Sequence, residues 1–192
     1  MKHVMGDKTN TTLTFVNEGD IQPNAVDLRL KKLFKIRSST FTIDEDTKIH
    51  RGVYEAKLDG QGYYTVPEGV YEVTMMNEIE VGDNEAGWVI TRSTLNRNGV
   101  FLTSGLYDTG YNGVMAAVLH VTCGTFRVKP GTRIGQYLCF DSEALSKYNG
   151  SYGKGSEHDK KYEDSSQQIT ASEIDSLTDG PKNPAFEEKG TE

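Results

Sequence analysis

The 192-residue sequence predicts a mainly β domain, a distorted β-barrel or jelly roll with one short helix. Three observations point there. From about Val26 to Phe140, Gly, Pro, Asn and Asp break the chain at intervals of roughly eight to twelve residues. The runs between, such as GYYTVPEGVYEVTMMNEIEV and VMAAVLHVTCGTFRV, are rich in the β-branched and aromatic residues that fit a pleated surface. No helical period is sustained across that span. A chain of this length buries well over half of its unfolded surface, so one domain over residues 1–150 is expected, followed by a tail over 151–192.

In chain order, GDIQPNAVDLRL (Gly19 to Leu30) reads as a turn at Gln22-Pro23-Asn24 feeding a strand. Val26, Leu28 and Leu30 fall on one face, Asp27 and Arg29 on the other, where the two charges either pair toward solvent or serve a site. Pro67-Glu68-Gly69 and Lys129-Pro130-Gly131-Thr132 read as turns, since Pro presets φ and Gly supplies a positive one. ITRSTLNRNG (Ile90 to Gly99) contains the one short helix, Ser93 to Asn98. Its start offers an anion the backbone N–H groups, the Ser93 hydroxyl and the Arg92 guanidinium. Arg97 returns to that face one turn later; an ordinary capped helix with a surface Arg pair is the alternative. TSGLYDTGYNG (Thr103 to Gly113) reads as a hairpin tip with Asp108 and Tyr111 flanking a Thr109-Gly110 bend, either a plain turn or a backbone surface for a planar base. PGTRIGQ (Pro130 to Gln136) brings Arg133 and Gln136 to a turn-to-strand junction, suited equally to phosphate contact and to structure.

Beyond Tyr152 the composition turns to Gly, Ser, Lys, Asp and Glu, too poor in apolar residues to offset ordering entropy, and most of the tail is expected to be flexible. A short helix near Ala171 to Leu177 is expected there, with Thr170 as N-cap and Glu173 closing a capping box. The net charge is −7; the tail from Ser151 holds ten acidic residues against five lysines, leaving the first 150 residues near −2. Apart from Arg29, Lys31, Lys32, Lys35 and Arg37, no basic cluster occurs, which argues against a nucleic-acid partner. No apolar run approaches the roughly 20 residues of a membrane span, and none marks a signal peptide. Cys123 and Cys139 sit in strand-like apolar stretches and read as small core residues, which suits a reducing, cytoplasmic location, a host's cytoplasm if the source is viral.

Taken together, these segments resemble, in order, the motifs of the dUTPase and dCTP deaminase superfamily over roughly Asp20 to Ser156. Val-Asp-x-Arg-Leu at Val26 to Leu30 is similar to the deaminase opening motif; the resemblance implies that Asp27 orders the site near the sugar and metal. Arg-Ser-Thr-x-x-Arg-x-Gly from Arg92 is similar to the second motif, implying that Arg92, Ser93 and Arg97 bind phosphates, Arg97 from beside a subunit boundary. The Thr103 to Gly113 segment resembles the third motif. Asp108 would then orient and deprotonate the water that attacks the α-phosphorus, Tyr111 would stack on the deoxyribose, and Thr103, Ser104 and Gly105 would belong to the base-reading hairpin. PGTRIGQ resembles the fourth motif, assigning Arg133 and Gln136 to phosphate. SKYNGSYGKGS (Ser146 to Ser156) blends a deaminase ending with the Gly-rich dUTPase closing motif, and brings in Lys147 and Tyr148, with Tyr152 and Lys154 behind them.

The family likeness further implies a dUTPase-like barrel, a homotrimer with sites between subunits, and a Mg²⁺ carried in by the triphosphate. One departure decides between activities. Deaminases carry a proton-shuttling Glu ten residues after the motif Asp; here that position is Val118, and no Glu lies from Ala116 to Phe126. His120, two residues on, is a substitute candidate on the same strand face. The expected activity is therefore dUTP diphosphatase, dUTP and water giving dUMP and diphosphate. The alternatives are a dCTP deaminase or bifunctional enzyme, a pyrophosphatase for another pyrimidine dNTP, and a non-catalytic regulatory homologue.

Overall fold

The structure, a computed structural model, describes residues 1–162 and 168–178. The first strands are β1 (Thr12–Leu13), β2 (Val26–Ile36), β3 (Thr42–Ile43), β4 (Lys48–Ile49), β5 (Val53–Ala56), β6 (Tyr64–Val66) and β7 (Gly69–Glu80). After β8 (Glu85–Thr91) comes the short helix α1 (Ser93–Asn96), then β9 (Val100–Thr103), β10 (Asn112–Val121), β11 (Phe126–Val128) and β12 (Arg133–Asp141). The chain beyond 150 adds β13 (Gln168–Ile169) and α2 (Ala171–Thr178). Mainly β structure with one short helix in the body is the architecture expected from the turn spacing.

Strand β2 organises the sheet because it is long enough to belong to both halves. Its first residues pair with β12, Asp27 opposite Gln136 and Leu28 opposite Gly135. Its remainder pairs with β7 from Leu30 to Lys35 and with β5 from Phe34 to Ile36. A register shift between Leu30 and Lys32 marks the corner, where an irregular residue lets a strand bend out of one layer into the next. From there the ladder runs β2 to β7 to β10 to β9, and from β12 to β8 on the other side. The seam between β8 and β9 is closed by hydroxyls in place of a backbone ladder: Leu102 N–H donates to Thr91 Oγ1 (2.7 Å), which donates to the Leu102 carbonyl (3.2 Å). The result is a nearly closed barrel.

Inside lie Val26, Leu28, Leu30 and Leu33 of β2, as the alternation predicts, with Met115, Ala117, Leu119 and Val121 of β10. Cys139 is a buried core residue as expected, but Cys123 is exposed, because β10 ends at Val121 and the Thr122 to Thr125 turn carries it out of the sheet. The basic residues of β2 form no stripe: Arg29 pairs with buried Asp20 through both guanidinium ends (2.9 and 2.6 Å), and Lys32 pairs with Glu55 (2.9 Å).

Composition alone points to a flexible tail, yet its described parts lie against the barrel. Residues Gln168 and Ile169 extend β5 in parallel, and Ile174 of α2 is fully buried in the core cluster. The expected capping box is present, Thr170 N–H donating to Glu173 Oε2 (2.6 Å). The rest of the tail, 163–167 and 179–192, lies outside the described residues.

The N-terminal segment is clasped by one carboxylate. Glu85, fully buried, accepts hydrogen bonds from Lys2 Nζ (3.0 Å), Thr9 Oγ1 (2.9 Å), Asn10 N (3.0 Å) and both the backbone N (2.9 Å) and hydroxyl (2.6 Å) of Thr11. Burial alone raises its pKa, but these donors, Thr11 foremost, outweigh it and hold it at about 2. An unfolded chain takes up this proton near 4.5, so the stabilisation is complete above that pH and is lost as the pH falls toward 2. Glu85→Ala is expected to cost roughly 3–5 kcal/mol at neutral pH by orphaning a buried donor cluster. In denaturant melts the gap to wild type should narrow as the pH drops through that window; a gap independent of pH would contradict the clasp.

Candidate functional site

The register that joins β2, β12 and β8 sets Gln136 beside Asp27 on one flank and Ile90 on the other, and Arg92 follows two residues after Ile90. Three motif side chains therefore converge on the Asp27 carboxylate, which is fully buried. Gln136 Nε2 donates to Oδ1 at 3.0 Å, Arg92 Nε approaches Oδ1 at 3.2 Å, and Arg133 Nη1 approaches Oδ2 at 3.3 Å. Arg133 also donates to the Gly19 carbonyl (2.7 Å), so the turn before β2 is part of the same knot. Two guanidiniums share one carboxylate, leaving an excess positive charge and unused N–H groups on side chains that are 28% and 36% exposed. Such an arrangement is chemically suited to hold an anion, with donors fixed in advance. The solvent-facing Asp27–Arg29 pair allowed by the sequence does not form, because Arg29 is taken by Asp20. Ser93 is exposed at the start of α1, and Arg97 is exposed at its end with no ion pair among the described residues.

The third motif forms the rim of a separate cleft of about 490 Å³. Thr103, Ser104, Gly105, Tyr107 and Tyr111 line it above a floor of Val114, Ala116 and Val118. Strand alternation explains the floor: Met115, Ala117 and Leu119 point into the barrel, so the intervening residues of β10 point outward. Two predicted polar contacts are partly occupied by the fold itself. Ser104 Oγ accepts from Val89 N–H (3.0 Å), and Thr103 Oγ1 lies 3.1 Å from His120 Nε2. Tyr111 is buried, its ring edge-on to both Tyr107 and Tyr148 and its hydroxyl donating to the Val114 carbonyl (2.8 Å).

Asp108 sits at the hairpin tip between two pinned neighbours. Tyr107 is buried and exchanges backbone hydrogen bonds with Gly87, while Thr109 is buried and donates to the Glu85 carbonyl at 2.7 Å. Asp108 itself is exposed, and its carbonyl accepts from Tyr111 N–H (3.0 Å) across the turn made by left-handed Gly110. The backbone is rigid here and the carboxylate is open to water.

A strap covers the cleft. Tyr148 N–H donates to Thr109 O and Lys154 N–H to Asn112 O, both at 2.8 Å. The approach is so close that a Cβ on Gly113 would come within 2.8 Å of Gly153 Cα, which requires Gly at 113. The strap adds Tyr152 and, beyond Gly155, His158, Asp159 and Tyr162 to the lining, facing Glu72 of β7. Glu72 accepts from Lys161 Nζ at 2.9 and 2.8 Å and from the Tyr162 hydroxyl. Burial and then the Glu72 charge push the Tyr162 phenol far above its usual range, so it stays a donor. Burial and then Lys161 lower the His158 pKa, favouring neutral imidazole. Lys147 points away and pairs with Asp83 (2.8 Å).

Within one chain, then, Arg92, Arg133 and Gln136 belong to the Asp27 knot, Ser93 follows Arg92 on α1, and none of the four lines the cleft. Glu72, His158, Asp159 and Tyr162 carried no motif. Only the alternation of Glu72 against buried Tyr71 and Val73 set it on the outer face.

A model of the dCTP deaminase-like family matches residues 2–142. The chain belongs to this family. Among its relatives, a probable deoxyuridine 5'-triphosphate nucleotidohydrolase of Methanopyrus kandleri is 26% identical over 140 residues, covering 72% of this chain and 91% of the relative. One so named from Methanosarcina mazei is 32% identical over 141 residues, covering 70% and 81%. The crystal structure of 2'-deoxycytidine 5'-triphosphate deaminase from Agrobacterium tumefaciens aligns with a TM-score of 0.54 and 17% identity, over 71% of this chain and 45% of that one, and shares the fold. The family match spans the Asp27 knot and the cleft rim and ends before the strap.

The Asp27 knot can be tested by Asp27→Asn, which keeps the shape but removes the charge that both arginines share. A stability loss of roughly 1–3 kcal/mol is expected, with an unchanged denaturant slope. No loss would mean that Arg92 and Arg133 are held by something other than this carboxylate.

Proposed function

We propose that the protein is a dUTP diphosphatase, converting dUTP and water to dUMP and diphosphate. The observation that carries this is Asp108: an exposed carboxylate on a backbone locked on both sides by Tyr107 and Thr109, in the position where the family likeness calls for the water-activating base. In this reading Asp108 takes a proton from water as its oxygen bonds to the α-phosphorus, and the bond to the bridging oxygen breaks to release diphosphate. Arg92, Ser93 and Gln136, with Arg97 and Arg133, hold the phosphates; fixed cations of this kind stabilise charge on the departing oxygens. Thr103, Ser104, Gly105, Tyr111 and Tyr148 surround the nucleoside, and Lys147 approaches only from outside. Residues 1–150 form the catalytic body, and 151–192 are an appendage whose first part covers the cleft.

A Mg²⁺ fits this donor set as cargo of the triphosphate. Among the described residues no three His, Cys, Asp or Glu form a cage. Mg²⁺ bound mainly by phosphate oxygens and water would need none. Bound, it would screen the phosphate charge.

The separation of the Asp27 knot from the cleft supports a homotrimer in which one copy's knot completes another's cleft. Asp108→Asn and Arg92→Ala should each lower kcat by about 10²- to 10⁴-fold without unfolding the chain. Co-expressed, the two variants should regain a measurable fraction of wild-type turnover, since mixed trimers contain some unmutated sites. Absence of dUMP formation by wild type would overturn the activity, and absence of complementation the shared site.

A second reading, deamination of dCTP, is favoured by one observation. Val118 pairs across β10 and β7 with Glu72, so a carboxylate does enter the cleft beside the position where a deaminase carries its own. His120 is less suited, being engaged with Thr103. Ammonia released from dCTP, and lost in Glu72→Gln, would establish it. No helix among the described residues is long and apolar enough to cross a membrane.

A further inference from the structure

We infer that Asp159 is a specificity-determining residue, whose carboxylate accepts a hydrogen bond from a ring or exocyclic N–H of a pyrimidine held in the cleft; this rests on the nucleotide reading above. The cleft is lined by two described carboxylates, and their situations differ. Glu72 has its oxygens engaged by Lys161 and Tyr162. Asp159 has one oxygen in a long 3.4 Å contact with its neighbour His158, while Oδ2 is buried with no hydrogen-bond partner among the described residues. Its side chain is 13% exposed and borders both the main cleft and the adjoining 170 Å³ cavity.

An acceptor in that condition carries a desolvation cost that a donor would relieve. Most of the other polar groups of the cleft are already committed. The phenols of Tyr107 and Tyr111 donate to the carbonyls of Ala116 and Val114, Tyr162 to Glu72, and the hydroxyls of Thr103 and Ser104 have the partners given above. A base lying over the small, apolar floor of Ala116 and Val118 therefore meets one carboxylate oxygen with acceptor capacity to spare. Rotation about a carboxylate's χ2 is soft, and the 3.4 Å contact holds it only weakly, so presenting Oδ2 to the cleft needs a turn of the side chain and no backbone change. The backbone is fixed meanwhile: Asp159 N–H donates to Ser156 Oγ (3.2 Å), and the Glu72 contacts anchor the strap two and three residues later. A carboxylate donates nothing when ionised, so it favours a Watson–Crick edge that offers an N–H, as uracil does at N3 and cytosine at N4.

The test is equilibrium binding of the non-hydrolysable α,β-imido analogue of dUTP and of its N3-methyl counterpart, which lacks the ring donor, to the full chain. Wild type should prefer the unmethylated ligand by about 10- to 100-fold, the scale of a hydrogen bond to a charged group. In Asp159→Ala the preference should collapse to within about threefold, with Asp159→Asn in between because its amide oxygen still accepts. If the alanine variant does not fold, Asp159→Ser, too short to reach the base, should show the same collapse. Equal preference in wild type and either truncated variant overturns the inference. Failure of both ligands to bind wild type overturns the nucleotide reading as well, whereas binding of dUTP analogue with an unchanged ratio overturns only the role of Asp159.

Discussion

A buried carboxylate at the start of the strand shared by both halves of the barrel ties the rest together. Strand β2 pairs with β12 through its first residues and with β7 and β5 through its last, and Asp27 lies in the first stretch, a few residues before the corner where the two layers part. Left alone, an ionised group buried there would carry an uncompensated desolvation cost. Arg92, Arg133 and Gln136 offset that cost, and in doing so they are drawn from β8 and β12 to a single point. The same contacts that make the buried charge tolerable hold two guanidiniums in a fixed orientation, with their remaining donors directed outward. Stability and the anion recognition proposed for this site share one set of bonds.

The hairpin tip follows a related logic with the roles reversed. Tyr107 and Thr109 are sunk into the barrel, and their burial leaves Asp108 between them with nowhere to point but solvent. The general-base role proposed for Asp108 requires a group open to water yet held still, and alternation along a pinned segment provides both. The strap adds a second layer. It docks on the backbone of the 109–112 turn and is anchored at its far end by Glu72, so the polar character of the cleft is set as much by residues 148–162 as by the motif that forms its rim.

Much of this was legible in the chain itself. The spacing of Gly, Pro, Asn and Asp marks out the strands, and alternation in Val26 to Leu30 assigns Asp27 to the face opposite the core apolar residues. The capping pair Thr170 and Glu173 marks the last helix, and both are local patterns that a window of a few residues contains. The partner of Arg29 was not legible, because Asp20 and Asp27 both precede it closely in sequence and only the path of the turn before β2 decides between them. Nor was the exposure of Cys123, which depends on where a strand ends.

The sequence by itself determined the β architecture, the family and the set of charged motif residues, since each is encoded in local periodicity or in ordered short patterns. The tertiary structure decided which of those charges meet: Arg92, Arg133 and Gln136 at Asp27, and Glu72 beneath Lys161 and Tyr162. Such pairings join residues up to about a hundred positions apart, through sheet register and the path of the strap. Composition shows a polar segment after Tyr152, but whether it leaves the barrel or lies on it depends on complementary groups on β5 and β7, which no local pattern contains.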